Sequence, residues 1–105
     1  MIGKAGLAYD RRVADVFRAL DDRTRRIILD LLVERDGRSL FEICGALTTR
    51  YGLSSSRQAI SQHLAVLEEA GLVRTERQGR TKLHHFDPGP LAEIARRWPE
   101  RKQDP

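Results

Sequence analysis

The chain of 105 residues is long enough for one domain with one modest hydrophobic core. Hydrophobic residues make up 40% and charged residues 32%, and no apolar run approaches the roughly 18 residues of a membrane span, so a transmembrane protein is excluded. The net charge of +4 favours an anionic partner such as nucleic acid, although a solvated surface of mixed charge explains it equally well.

The chain begins with two predicted helices. Residues 1–9 are expected to form a short lead-in, and because they lack the apolar core of a signal peptide we expect a cytoplasmic protein. Residues 10–20 predict a first helix and residues 23–35 a second, and the pair Asp21 and Asp22 between them can cap the second helix. Apolar residues at helical spacing mark both helices: Val13, Val16, Phe17, Leu20, Ile27, Ile28, Leu31 and Leu32. The arginines in the first turn of the second helix are expected to be solvated: Arg23, Arg25 and Arg26.

A capping box marks the start of a third helix. Ser39 stands at the N-cap position and Glu42 three residues later, so each side chain can bond to the backbone of the other. The predicted buried side consists of Leu40, Ile43, Cys44 and Leu47. A polar connection over residues 48–53 follows, and it is longer than the usual helix-turn-helix turn of about three or four residues.

Residues 54–71 carry the predicted function. Three serines can cap the first turn of a fourth helix, and Gly71 can end it. One side is predicted to be buried by residues at three- and four-residue spacing: Ile60, Leu64 and Leu67. At about 100° per residue, Gln58 and Gln62 lie nearly opposite that stripe. A solvated helix face is usually rich in Lys and Glu, whereas glutamine can pair with both N6 and N7 of adenine, so this face predicts contact with base edges.

A β-hairpin is predicted directly after this helix. Residues 72–77 and 81–86 alternate in polarity and contain β-branched residues, and residues 78–80 form the turn. Cations cluster at its tip: Arg77, Arg80 and Lys82. Two helices followed by a basic hairpin predict a winged helix-turn-helix.

The chain is predicted to end in a short helix. Residues 91–98 form it, Pro99 stops it, and residues 99–105 are expected to be a flexible tail. No internal repeat or second domain is apparent. Residues 1–105 are therefore predicted to form a single winged-helix domain, mainly α with a small β-hairpin and about five helices.

Residues 16–98 resemble the ArsR family of small dimeric bacterial winged-helix repressors. The resemblance is carried by the acidic turn and Thr-Arg pair within residues 17–32, by the recognition helix and strand in residues 56–73, and by the wing turn. It implies DNA binding and dimerisation. Metal-sensing branches of the family carry a Cys-x-Cys pair on the third helix, or His and Asp ligands on the last helix. This chain offers only Cys44 and none of those ligands in residues 91–98, so no metal or cofactor is expected.

Three sets of site residues follow. Base contacts in the major groove are assigned to Arg57, Gln58, Ser61 and Gln62. Phosphate contacts are assigned to the serines and the wing: Ser54, Ser55, Ser56, Arg77, Arg80 and Lys82. Because apolar residues in both terminal helices need cover, a homodimer seam is assigned to Leu7, Val13, Phe17, Leu91, Ile94 and Trp98. The structural alternatives are a solvated helix face, serines that only cap the helix, and a solvated hairpin tip.

The predicted function is a dimeric repressor that binds an inverted repeat in double-stranded DNA, with no membrane contact and no evident small-molecule ligand. Catalysis is not expected, since Ser56 and His63 lie about 10 Å apart along one helix. His63 is interpreted as a packed, hydrogen-bonded residue, and His84 and His85 are expected on opposite faces of a strand. Two alternatives stay open: a protein-binding winged helix without DNA binding, and a DNA-binding sensor that uses Cys44 as a thiol or metal switch.

Overall fold

Five helices and one antiparallel hairpin make up the part of the chain that the computed structural model describes, namely the backbone of residues 4–101 and the side chains of residues 11–101. The elements in chain order are α1 (Lys4–Leu20), α2 (Arg23–Glu34), α3 (Leu40–Tyr51), α4 (Arg57–Glu69), β1 (Val73–Gln78), β2 (Thr81–Phe86) and α5 (Gly89–Arg97). The predicted mainly α fold with a small hairpin is confirmed. Within these residues, no helix is long and apolar enough to cross a membrane.

Two helices begin earlier than the sequence predicts. α1 begins at Lys4, so the expectation of a lead-in over residues 1–9 is wrong from that residue onward. No proline interrupts this segment, and nothing in it stops a helix from extending upstream. α5 begins at Gly89 because a proline in the first helical turn needs no N–H partner, and Pro90 occupies that turn.

The turn of the helix-turn-helix is shorter than predicted. α3 continues to Tyr51, and Gly52 follows in a left-handed conformation with φ 65°, which lets its N–H donate to carbonyls of the last helical turn. The polar connection predicted over residues 48–53 is therefore replaced by a connection over residues 52–56. The sequence overestimated this spacing because threonine and arginine near the end of α3 look like loop residues but continue the helix.

The core lies where α2, α3 and α4 meet, with α1 and the start of the hairpin at its sides. Its largest fully buried side chains are Val16, Ile28, Leu31, Leu32, Ile43, Leu47, Ile60, Leu67 and Leu72. The predicted buried stripes of α2 and α4 are confirmed, because every residue named for them is buried. Cys44 is half-buried and packs against this core, as its position on the apolar stripe predicts.

Arg25, in the first turn of α2, was predicted to be solvated, but its side chain is largely buried. Its side chain is only 13% exposed. Nε donates to the Ala19 carbonyl at 2.8 Å, Nη2 donates to the Arg18 carbonyl at 3.0 Å, and Nη1 donates to His63 Nδ1 at 3.1 Å. These bonds supply a partner for the Ala19 carbonyl and a second one for the Arg18 carbonyl, which also accepts from the Asp21 N–H at 3.2 Å, and they fasten α1 to α4.

A short backbone bridge attaches the hairpin to the loop before α3. The His84 N–H donates to the Arg38 carbonyl at 2.8 Å, and the Gly37 N–H donates to the His84 carbonyl at 3.0 Å. Both bridge side chains are buried, with Arg38 Nε donating to the Leu31 carbonyl at 3.1 Å. The sequence indicated none of this, because an arginine beside a turn usually lies in solvent.

Asp36 provides a second attachment for the hairpin. Its Oδ1 accepts from the Phe86 N–H at 2.8 Å, and its Oδ2 accepts from His85 Nδ1 at 2.8 Å. Burial would raise the pKa of Asp36, but the bonds from Phe86 and His85 outweigh it and hold the pKa below its ordinary value of 3.8. The carboxylate therefore stabilises the base of the hairpin in its charged form.

Asp36→Asn is expected to lower the free energy of unfolding at pH 6 by about 0.5–1 kcal/mol, a small value because the side chain is half-exposed. A carboxyl whose pKa falls on folding adds stability that is fully present above its unfolded value of 3.8 and is lost as pH falls through the folded value. The difference between the variant and the unmodified protein should therefore shrink as pH falls below 3.8. Urea unfolding at several pH values measures this difference in the free energy of unfolding. Asp30→Asn, on the exposed side of α2, is the control.

Candidate nucleic-acid interface

The residues assigned to base contacts all lie on the exposed side of α4. Arg57, Gln58, Ser61 and Gln62 are exposed, while the apolar stripe of the same helix is buried. Ser56 is the N-cap, and its Oγ accepts from the Ala59 N–H at 3.1 Å. Arg57 is thus the first helical residue, and the amide-bearing face begins in the first turn of the helix.

The serines before α4 divide between two positions. Ser56 caps the helix, whereas Ser54 and Ser55 are exposed in the connection from α3. No hydrogen bond between a Ser54 or Ser55 hydroxyl and the described part of the chain is seen, so both hydroxyls can serve an external acceptor. The backbone N–H groups of the first turn of α4 lie just beyond them, and such groups favour an anion.

The hairpin presents cations of like charge opposite one another. Gly79 has φ 64° and forms the tip with Arg80. In the strand register Arg77 pairs with Lys82, which places two cations on neighbouring strands. Like charges directly opposite in an antiparallel pair repel one another. All three tip cations are exposed, and an anion between or beside them would relieve that repulsion.

A cleft of about 480 Å³ separates the tip of the hairpin from α4 and from the start of α3. Its walls carry Ser39, Leu40, Phe41, Ser61, Leu64, Ala65, Glu68, Arg80, Thr81, Lys82 and His84. The cleft brings together three predicted site residues, Ser61, Arg80 and Lys82. The other predicted base and phosphate contacts lie outside it. Lys82 Nζ is 3.9 Å from the Glu68 carboxylate, so one cation of the hairpin faces an acid of α4.

The terminal helices pack on one another and leave aromatic side chains uncovered. Arg12 of α1 lies 3.4 Å from the Glu93 carboxylate of α5. Phe17 is 52% exposed and Trp98 62% exposed, although both are large and apolar. Three other residues of the predicted seam are half-buried: Val13, Leu91 and Ile94. Leu7 lies outside the residues whose side chains are described.

Each histidine has a structural partner. His63 accepts from Arg25, His84 Nδ1 donates to the Arg38 carbonyl at 2.9 Å, and His85 donates to Asp36. His84 and His85 face different partners, in agreement with their expected alternation along β2. Residues 11–101 contain no group of three or more His, Cys, Asp or Glu side chains arranged to hold a metal ion.

No role was predicted from the sequence for Phe41 or Glu68, although both line the cleft. Phe41 is 74% exposed in the first turn of α3, and Glu68 lies beside the cations of the hairpin. Phe41 could have been noticed, since it lies off the stripe of apolar residues that buries α3 and must therefore point elsewhere. The proximity of Glu68 to Lys82 depends on how the hairpin folds back, and no local pattern indicates that.

Comparison with known proteins identifies relatives over most of the chain. Residues 20–76 match a family model described as a helix-turn-helix domain. The chain is 47% identical over 85 residues to the uncharacterized HTH-type transcriptional regulator YuzN of Bacillus subtilis, which covers 81% of this chain and 92% of the relative. It is 40% identical over 81 residues to the uncharacterized HTH-type transcriptional regulator Rv0081 of Mycobacterium tuberculosis, covering 77% of this chain and 66% of that protein.

Solved structures share the fold. The ArsR-like transcriptional regulator from Rhodococcus sp. RHA1 superposes with a TM-score of 0.66 at 38% identity, covering 83% of this chain and 76% of that chain. The homodimeric winged helix-turn-helix DNA-binding domain of Mb0332 from Mycobacterium bovis superposes with a TM-score of 0.69 at 27% identity, covering 89% of this chain and 80% of that chain.

Proposed function

Because the chain belongs to the ArsR family of winged helix-turn-helix transcriptional regulators, we propose that it is a homodimeric repressor that reads an inverted repeat in duplex DNA. The observation that carries the proposal is the uncharged, amide-bearing face of α4, which is exposed beside the cationic hairpin. Such a regulator acts on chromosomal DNA and therefore works in the cytoplasm. The family is one of transcriptional regulators, which are generally not enzymes.

In the proposed complex α4 enters the major groove, and its side chains read base edges. Gln58 and Gln62 stand one helical turn apart, and each can form two hydrogen bonds to an adenine. Ser61 lies beside them on the same face, and Arg57 at the start of the helix suits a guanine or a phosphate. The uncharged contacts of Gln58, Ser61 and Gln62 give the protein its preference for one DNA sequence, because these side chains lose their hydrogen-bond partners when the base pair changes.

Phosphate contacts supply most of the affinity. Ser54 and Ser55 with the N-terminus of α4 suit one phosphate, and Arg77, Arg80 and Lys82 suit the backbone beside the hairpin. Binding through these cations releases counter-ions from the DNA, so the affinity falls steeply as salt concentration rises.

Dimerisation is proposed through α1 and α5. Phe17 lies on α1 and Trp98 comes directly after α5, both aromatic side chains are exposed, and the M. bovis neighbour is a homodimer. A two-fold dimer places its two recognition helices about 34–36 Å apart, one turn of DNA, which matches two half-sites of an inverted repeat. Occupation of such a site within a promoter blocks transcription.

Selection of bound fragments from random duplex DNA tests the proposal. We expect a consensus sequence with two-fold symmetry, which the protein binds at nanomolar concentrations. Its affinity for random DNA should be at least about 1,000-fold lower. The absence of any salt-dependent shift of duplex DNA at micromolar protein would overturn the proposal and favour a protein-binding winged helix. If thiol-blocking reagent released the selected DNA, Cys44 would be a sensor as well.

Arg80→Ala is expected to weaken binding to all DNA sequences alike and to flatten the dependence of affinity on salt. Two hairpins of a dimer lose one phosphate contact each, so the slope of log K against log salt decreases by about 1.8. Fluorescence anisotropy across a salt series measures the slope. Arg74→Ala is the matched control, since this arginine of the same hairpin lies at its base, 3.5 Å from the Asp87 carboxylate. Equal slopes for Arg80→Ala and the unmodified protein would remove the tip of the hairpin from the interface.

A further inference from the structure

We propose that the cleft between α4, the hairpin and the start of α3 holds the sugar–phosphate backbone of one DNA strand, with Phe41 packed against a deoxyribose. This inference rests on the proposed function and names a contact that the recognition helix and the hairpin do not supply. Phe41 is then part of the DNA interface, although it belongs to neither of those elements.

The cleft has charged, polar and apolar walls, and a DNA backbone likewise combines charged phosphates with apolar sugar surfaces. The hairpin side offers the cations Arg80 and Lys82, and the α4 side offers the Ser61 hydroxyl. The α3 side offers the apolar surface of Leu40 and Phe41. A DNA strand alternates charged phosphates with apolar sugars, so cations and an aromatic ring on facing walls complement it.

The exposure of the Phe41 ring is the observation that indicates a binding partner at this position. At 74% it is more exposed than the other large apolar side chains that stand out on the described surface, including Val33 at 66%. Unlike Val33, it borders a cleft that is continuous with the predicted base-reading face through Ser61 and Ala65. The first helix of a helix-turn-helix crosses the DNA backbone, which is where the start of α3 would place this ring.

Glu68 also lines the cleft, and its charge opposes a phosphate. Its carboxylate lies 3.9 Å from Lys82 Nζ and partly neutralises that cation in the free protein. A phosphate in the cleft would have to compete with this carboxylate for Lys82. If DNA occupies the cleft, Glu68 therefore weakens binding, and its removal strengthens it.

Phe41→Ala is expected to weaken binding to selected and random duplexes by about fivefold to thirtyfold, because an apolar contact to a sugar is lost whatever the sequence. The slope of log K against log salt stays unchanged, since no charge is removed. Val33→Ala on α2 is the matched control, because Val33 is also apolar and exposed but does not line the cleft. The substitution is on the surface, and circular dichroism verifies that the fold is retained.

Glu68→Gln is expected to strengthen binding by about threefold to tenfold and to steepen the salt dependence, because Lys82 becomes free to pair with a phosphate. A gain in affinity cannot arise from misfolding. Glu69→Gln is the control: this exposed neighbour lies outside the cleft, and its variant should bind within about twofold of the unmodified protein.

The outcomes separate this inference from the proposed function. Failure of the unmodified protein to bind any duplex overturns the proposed function and this inference with it. Normal binding by Phe41→Ala, or equal affinities for Glu68→Gln and Glu69→Gln, overturns only the occupation of the cleft. If Phe41→Ala changed the oligomeric state but not the DNA affinity, a second copy of the chain would be what covers the ring. That result would also overturn the occupation of the cleft by DNA.

Discussion

Phe17→Asp is expected to convert the proposed dimer into monomers and to weaken binding to the inverted repeat by about 100-fold or more. A charge at the centre of an apolar seam must be desolvated for the helices to pair, which costs several kcal/mol when no partner charge is present. Without the dimer the two recognition helices no longer act at high effective concentration, so the advantage of two linked half-sites is lost. Sedimentation velocity measures the mass, and anisotropy measures the affinity.

A second apolar surface residue provides the control for this prediction. Val33→Asp introduces the same charge on the exposed side of α2, outside the predicted seam, and should leave both mass and affinity unchanged. Binding to an isolated half-site should be equal for Phe17→Asp and the unmodified protein once concentrations are expressed per chain. A dimeric Phe17→Asp variant would place the seam elsewhere and would contradict the assignment to α1 and α5.

Gln62→Ala has the second large expected effect, confined to particular base pairs. Loss of a bidentate amide contact should reduce affinity for the selected operator by about 1–3 kcal/mol per half-site, while affinity for random DNA changes little. The side chain is exposed, so its removal should not disturb the core. Competition binding with selected and random duplexes measures the two affinities together.

A double-mutant cycle identifies the base pair that Gln62 reads. The unmodified protein and the alanine variant are each tested on the operator and on operators with one pair replaced. At the pair that the amide contacts, the base substitution should no longer cost affinity for the variant, whereas at every other pair the two costs should add. Equal losses on operator and random DNA would mean that Gln62 supports the helix or a phosphate instead.

The elements of this fold were predictable where the signal is local. Asp22 and Ser39 cap their helices as predicted, because a cap depends on a few neighbouring residues. The buried stripe of α4 and its exposed Gln58 and Gln62 followed from helical periodicity alone. The hairpin was predictable because alternation and a glycine turn lie within one short segment.

The errors about buried arginines and about the residues of the cleft arise where distant groups determine the outcome. Arg25 looked solvated, yet its partners are carbonyls at the end of the preceding helix and a histidine of α4. Arg38 is buried because the hairpin returns to pair with it. In the candidate site, Phe41 and Glu68 come next to the hairpin only through tertiary folding. Local sequence patterns could therefore place the proposed recognition helix but could not outline the whole surface around it.

The hydrogen bonds of Arg25 affect how the proposed dimer can adapt to the spacing of an operator. One guanidinium holds both the end of α1, just beyond Phe17, and the middle of α4. Because this one residue links the two helices, we expect the proposed base-reading helix and the proposed dimer contact to move together as one rigid body. A pair of such bodies presents a fixed span, so any mismatch with an operator must be absorbed by twisting or bending of the duplex. The stiffness of the spacer between half-sites would thereby influence which operators are chosen, even at base pairs that no side chain touches.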